Sequence, residues 1–143
     1  MDVVTAFLFG VLDKVIFMRQ PSDFAKKGHE SLVCRLLKSL YGLKQSPRQW
    51  NKQFDDFMML QGFTRSVEDP CVYLNRVSND VFSLIILILY VDDMLIVAKD
   101  KLEMEKLKAL LSAEFSMKDL GAAKRILGME IHRDMKGGRL WLT

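Results

Sequence analysis

At 143 residues, half of them hydrophobic, the chain can bury one real core and is too short for two ordinary domains. A formal net charge of +3 is only mildly basic, and its distribution says more than the sum. The longest apolar run, residues 81–91, falls well short of the ~20 residues a membrane span needs, so a soluble chain or a piece of one is expected.

The charge is unevenly spread. Lys14, Arg19, Lys26, Lys27, Arg35, Lys38, Lys44, Arg48 and Lys52 face only Asp23 and Glu30, a local excess of seven that leaves the remainder at −4. Such asymmetry suits a surface turned towards a polyanion, and it also describes a plain solvated stretch. Cys34 and Cys71 are far apart with no C-x-x-C pairing, and they read as free or buried thiols of a reducing compartment. His29 and His132 lack the spacing of a metal set.

In chain order, residues 6–9 form a short apolar stretch and 15–18 a strand candidate, followed by a turn-rich basic segment at 21–29. Residues 32–37 read as a second strand. Ser46 is placed as the N-cap of a helix, Pro47 as its first residue, and Gln49 completes an S-x-x-Q capping box. Trp50, Phe54, Phe57, Met58 and Gln61 recur at helical spacing, and Gly62 stands where a left-handed C-cap belongs. The spacing predicts a helix that buries Trp50, Phe54, Phe57 and Met58 and shows Lys52, Asp55 and Asp56.

Residues 71–74 read as a short strand and 78–80 as a turn into a long apolar strand, 81–90. That run breaks at Val91-Asp92-Asp93 and resumes at 94–98, as two strands joined through adjacent carboxylates. Asp100 and Glu103 form the capping box of a second helix, in which Leu107, Leu111 and Phe115 make a stripe reinforced by Leu110. Gly121 separates it from two last short strands, near 126–132 and 139–142, joined by a polar link ending in Gly137-Gly138. Strands and helices mixed through hairpins, without regular βαβ alternation, predict an α+β fold: an antiparallel sheet backed by two helices.

Asp92-Asp93 is an unusual hairpin pair. Tight turns favour Asn-Gly, Asp-Gly or Gly-Gly because those residues reach φ > 0 at little cost. Two adjacent carboxylates instead suit a hard divalent cation, with a solvated acidic turn as the plain alternative. Asp2 is the third carboxylate of interest, because Asp2-Val-Val-Thr-Ala-Phe-Leu8 reads as a strand end running into a helical turn at a sheet edge. Three carboxylates from neighbouring strands suit two magnesium ions about 3.5–4 Å apart. Spacing alone does not bring Asp2 to Asp92.

Five motifs occur in order: Asp2-Val-x-Thr-Ala-Phe-Leu; Lys38-Ser-Leu-Tyr-Gly-Leu-Lys-Gln-Ser-Pro-Arg-Gln-Trp50; Tyr90-Val-Asp-Asp93; Met117-Lys-Asp-Leu-Gly121; and Leu127-Gly-Met-Glu-Ile131. Together they resemble, nearly end to end, the palm of the reverse transcriptase of copia-type LTR retrotransposons. The resemblance implies a polymerase palm-like fold forming one partial domain over residues 1–143, without fingers or thumb. It implies template-directed DNA synthesis by two-metal nucleotidyl transfer, with two Mg²⁺, or Mn²⁺ in their place, held by Asp2, Asp92 and Asp93. Most of the ligation would fall to Asp2 and Asp92.

The same resemblance puts Phe7 under the sugar of the incoming nucleotide, where it would exclude a 2′-OH, with Tyr41, Gly42 and Lys44 beside that nucleotide. Arg48, Tyr90, Val91, Leu127, Gly128 and Met129 would meet primer and template, and Lys118 lies close to the family's fourth motif. Partners implied are an RNA or DNA template with primer, deoxynucleoside triphosphates, and the fingers, thumb and RNase H regions of a parent polyprotein. The isolated chain is therefore expected to have little or no polymerase activity and poor solubility. Val4, Phe9 and Val11 depart from the family's usual basic, polar and acidic residues. These departures fit an alternative reading, a catalytically inactive element remnant that retains nucleic-acid binding through its basic stretch. A two-metal phosphodiesterase ranks behind both, because it leaves residues 39–50 unexplained.

Overall fold

A computed structural model describes residues 1–76, 83–134 and 136–143. The turn expected at 78–80, the start of the apolar run at 81–82, and Met135 in the last polar link lie outside the described residues. In chain order the strands are β1 (Asp2–Val3), β2 (Phe17–Arg19), β3 (Val33–Arg35), β4 (Thr64–Arg65), β5 (Val72–Arg76), β6 (Leu84–Tyr90), β7 (Asp93–Ala98), β8 (Met117–Lys118), β9 (Arg125–Ile126), β10 (Met129–Asp134) and β11 (Arg139–Leu142). The helices are α1 (Ser46–Leu60) and α2 (Lys101–Glu114). Two compact units result: Met1–Val4 with Gly62–Thr143, and Thr5–Gln61.

The first unit holds a six-stranded antiparallel sheet in the order β4-β5-β6-β7-β1-β8. Strand β6 is apolar over nearly its whole length, so its sequence does not mark an inner face. The structure does: Ile85, Leu87 and Leu89 are buried, while Leu84, Ile86 and Ile88 are half-buried. Tyr73, Met94 and Val3 are buried in neighbouring strands, and α2, which packs on β7, buries Leu107, Leu111 and Phe115. Leu110 departs from expectation at 45% exposure. It lies about 60° around the helix from Leu107, outside the single line of side chains that reaches the core.

Asp100 caps α2 as expected, its carboxylate accepting from the Leu102 N–H at 2.8 Å. Glu103 does not close the capping box; its carboxylate accepts from the Lys106 ammonium at 2.7 Å. The strand expected over 126–132 is in fact two. Leu127 and Gly128, with φ of 48° and 83°, form a two-residue turn between β9 and β10, as a type I′ hairpin requires. Strands β9, β10 and β11 make a separate three-stranded sheet.

The second unit is built on α1. Trp50, Phe54 and Met58 are buried at i, i+4 and i+8, with Phe9 and Phe54 tilted against the Trp50 ring at centroid distances of 6.0 and 5.5 Å. Two expectations are corrected here. Phe57 is only half-buried, because it lies a further 60° around the helix from Phe54 than the buried line allows. Ser46 is the first helical residue, not the N-cap: Gln45 holds that place, and the Ser46 hydroxyl donates to the Leu40 carbonyl at 2.6 Å. The strand expected at 15–18 is displaced to β2, ending at Arg19, and the one expected at 32–37 shortens to β3; the two pair antiparallel as a ribbon.

A close approach locks the start of α1. A Cβ on Gly10 would stand 2.9 Å from Gln49 Cβ, 3.0 Å from Ser39 Oγ and 3.2 Å from the Trp50 backbone nitrogen. The Gly10 carbonyl also accepts from the Ser39 N–H at 2.9 Å. Gly10→Ala should therefore destabilise the chain by about 1–3 kcal/mol through overpacking, read as a lower denaturant midpoint in tryptophan fluorescence. An unchanged midpoint would show that this contact relaxes freely.

Candidate active site

Tyr90 pairs with Asp93, so the turn between β6 and β7 consists of Val91 and Asp92. This corrects the expectation that both carboxylates sit in the break: Asp93 is already the first residue of β7. Val91 has φ of 58° and Asp92 does not share a positive φ. That sign pattern belongs to a II′ turn, whose first position favours glycine. A β-branched side chain there stores strain of about 1–3 kcal/mol.

Strand β1 lies along the other edge of β7. Asp2 is the register partner of Asp93, the Val3 N–H donates to the Asp92 carbonyl at 2.9 Å, and the Met94 N–H donates to the Met1 carbonyl at 2.8 Å. On its far edge β1 meets β8, with Asp2 opposite Lys118 and Val3 opposite Met117. Directly paired residues share a sheet face. Tyr90, Asp93, Asp2 and Lys118 therefore form one row across four strands, and Val3, at 2% exposure, points the other way.

Two like charges directly opposed across a ladder are unfavourable unless a cation lies between or beside them. Lys118 supplies one neighbouring cation. Among the described residues no three His, Cys, Asp or Glu side chains gather into a metal-holding group. Magnesium does not demand such a cage: it binds through one or two carboxylates, keeps waters, and takes further oxygens from substrate phosphates. The opposed pair Asp2 and Asp93, with Asp92 one residue before Asp93, fits that donor chemistry.

A cleft of about 560 Å³ opens beside this row, lined by Asp93, Met94 and Leu95 of β7 and by residues 120–128. Leu127 and Gly128 thus share a cleft with Asp93, while Met129 follows them as the first residue of β10. Lys124 and Arg125 also line it, and sequence reasoning missed both. They stand between two quoted motifs, and the only signal was two adjacent cations before the Leu127-Gly128 turn.

The wall at 119–121 is held by charge. The Asp119 carboxylate accepts from the Gly121 N–H at 2.9 Å and meets the Lys108 ammonium at 3.0 Å, contacts that hold its pKa below the usual aspartate value. Lys108, hydrogen-bonded to Glu105 and to Asp119, is raised above the usual lysine value.

In the second unit Phe7 lies against Tyr41, ring centroids 5.0 Å apart. Gly42 has φ of 89°, a left-handed conformation that glycine adopts without strain. Lys44 is exposed, and Arg48 is exposed in the first turn of α1.

Val91→Gly should leave stability undiminished or raise it by up to about 2 kcal/mol, since released strain offsets the added chain entropy; a fall in thermal midpoint would contradict the strain. The depressed Asp119 value contributes stability that is complete above the ordinary pKa of about 3.9 and is lost as pH falls through the folded value. Lys108 acts in the opposite sense, losing its contribution as pH rises above about 10.4 through its raised folded value. Asp119→Asn should therefore lower the denaturation midpoint near neutral pH, with the gap to the parent closing in strong acid. A gap independent of pH would exclude an ionic role.

Residues 1–143 match the family described as Reverse transcriptase (RNA-dependent DNA polymerase). The chain is 54% identical over its whole length to the Retrovirus-related Pol polyprotein from transposon TNT 1-94 of Nicotiana tabacum, covering 11% of that protein. It is 35% identical over 96% of its length to the Retrovirus-related Pol polyprotein from transposon RE2 of Arabidopsis thaliana, covering 9% of it. Over a similar share it is 34% identical to the Putative transposon Ty5-1 protein of Saccharomyces cerevisiae, covering 44% of it. No solved structure matches. The chain thus spans about a tenth of the two plant polyproteins. With the five ordered motifs and a match over every residue, the chain belongs to the reverse transcriptase family, in its copia-type retrotransposon branch.

Proposed function

We propose that this chain is the catalytic centre of a retrotransposon reverse transcriptase, a palm-like partial domain within a longer polyprotein, and that it supplies the carboxylates for template-directed DNA synthesis. The observation that carries this reading is the register pair of Asp2 with Asp93 beside a turn strained at Val91. A hairpin built only to connect two strands has no use for a valine in a left-handed conformation or for opposed carboxylates.

Asp2 and Asp92 would hold two Mg²⁺, with Asp93 as a further ligand or electrostatic support. When bound, these ions would supply charge neutralisation of the triphosphate and a lowered pKa at the primer 3′-OH. The residues of the chain do the rest. Tyr90 and Val91 touch the primer end, Leu127, Gly128 and Met129 hold the primer strand, and Lys118 adds a positive charge next to Asp2. Phe7 limits the space at the sugar. Tyr41 and Gly42 let the nucleotide approach the backbone, Lys44 meets phosphate as a point charge, and Arg48 contacts the template.

A second reading, an inactive remnant that still binds nucleic acid, is favoured by the basic composition of the second unit. Primer extension separates the two. In the longest reading frame containing these residues, Asp92→Asn keeps the shape of the side chain and removes a charge at the metals. Several kcal/mol of electrostatic stabilisation lost corresponds to a rate at least about a hundredfold lower. In the 143-residue chain, Mg²⁺ should raise the thermal midpoint by mass action, and Asp2→Asn or Asp92→Asn should reduce that rise. Undiminished Mg²⁺-dependent extension by Asp92→Asn would refute the catalytic assignment; no incorporation by the parent frame in Mg²⁺ or Mn²⁺ would favour the remnant.

A further inference from the structure

The β2–β3 ribbon and its loop present a surface that the catalytic reading leaves unused. Register pairs Phe17 with Arg35 and Arg19 with Val33, so these four side chains share one face, and all four are exposed. Met18 and Cys34 occupy the other face and are half-buried. Phe17 is 59% exposed on a strand, where an aromatic side chain ordinarily seeks cover.

The loop that joins the strands is held in place. The Gln20 carboxamide donates to the His29 carbonyl at 2.7 Å and to the Leu32 carbonyl at 2.9 Å, and it accepts from the Lys26 N–H at 3.1 Å. Every hydrogen-bonding group of the Gln20 side chain thus serves the loop. On that frame Phe24 stands 83% exposed beside Lys26 and Lys27. The loop's two carboxylates are both exposed, Glu30 accepting from the Gly28 N–H at 2.9 Å and Asp23 standing next to Phe24 in the chain. The four cations of ribbon and loop outnumber them. None of Arg19, Lys26, Lys27 or Arg35 takes part in an ion pair among the described residues.

We infer that this ribbon is a docking platform for an unpaired nucleic-acid strand, with Phe17 and Phe24 stacking on bases and Arg19, Arg35, Lys26 and Lys27 meeting the phosphates. Cations alone would serve a duplex equally well. Two outward aromatic rings among them discriminate, because only an unpaired strand offers base faces for stacking. The inference rests on the nucleic-acid reading above and deepens it. Its test needs neither metal nor nucleoside triphosphate, so it fails separately from the catalytic assignment.

Fluorescence anisotropy of labelled oligo(dT) with the full chain, at several salt concentrations, provides that test. Arg19→Ala with Arg35→Ala should lower the slope of log affinity against log salt by about 1.4, two phosphates at about 0.7 each on a single strand. Phe17→Leu and Phe24→Leu keep the charge, and each should weaken binding about tenfold at unchanged slope. Phe24, with almost no contacts to lose, guards against a folding defect; circular dichroism matching the parent confirms it for the rest. Aromatic variants that bind as tightly as the parent, an unchanged slope in the double arginine variant, or tighter binding of a duplex of equal length would each overturn the proposal. Adsorption to phosphatidylserine vesicles that these variants lose, with oligo(dT) binding intact, would overturn it in favour of a membrane surface.

Discussion

Strand β1 contributes only two residues to the central sheet, yet both of its edges are taken, by β7 on one side and β8 on the other. The register of that short strand governs the rest. A slip of one residue would exchange the faces of Asp2 and Val3, burying a carboxylate and exposing a valine. Burying an unpaired carboxylate costs several kcal/mol, and Val3 is among the most buried side chains of the unit. Hydrophobic burial at Val3 therefore holds Asp2 on the open face, opposite Asp93 and Lys118. The position of a charged group is set by the apolar residue that follows it.

Two hairpins of the same unit share a device at different cost. In the β9–β10 turn, Leu127 adopts a positive φ and glycine takes the second position, which removes half of the usual penalty. In the β6–β7 turn the positive φ falls on valine, and no glycine relieves it. The long, tightly paired strands β6 and β7 over-determine that turn, since their ladder runs unbroken from Ile85–Ala98 to Tyr90–Asp93. Strain of this kind persists where the surrounding structure insists upon it. Here it sits in the turn directly before Asp93, the carboxylate that Asp2 faces across the sheet.

The two units divide labour by charge. The first holds the aspartates and an acid–base staple from Lys108 to Asp119 that braces the segment after β8. The second carries the basic surplus, displayed on a ribbon and a loop where Arg19, Lys26, Lys27 and Arg35 outnumber Asp23 and Glu30. The match to one family spans both units without interruption.

Much of this was legible in the sequence, because local chemistry leaves local marks. Pro47 and the Trp50, Phe54, Met58 line announced α1, Asp100 announced the cap of α2, and five ordered motifs carried the family. What stayed hidden depends on contacts distant in the chain. Strand β6 is apolar on both faces, so its inner row emerged only from pairing with β5 and β7. Strand β8 is too short to show a period, and Lys118 became a neighbour of Asp2 only through register. Ser46 read as a cap by local rule, but the Leu40 carbonyl, six residues back, claimed its hydroxyl. The sequence by itself determined which carboxylates, helices and family this chain has, since those rest on residue type and near-neighbour spacing. Only the tertiary structure decided that Asp2 faces Asp93, that Val91 bears the strain of the turn, and that Lys124 and Arg125 reach the same cleft. The first depends on register between β1 and β7, far apart in the chain, and the second on the pairing of Tyr90 with Asp93. The third depends on segments that meet only in the folded unit, and no local pattern records any of these.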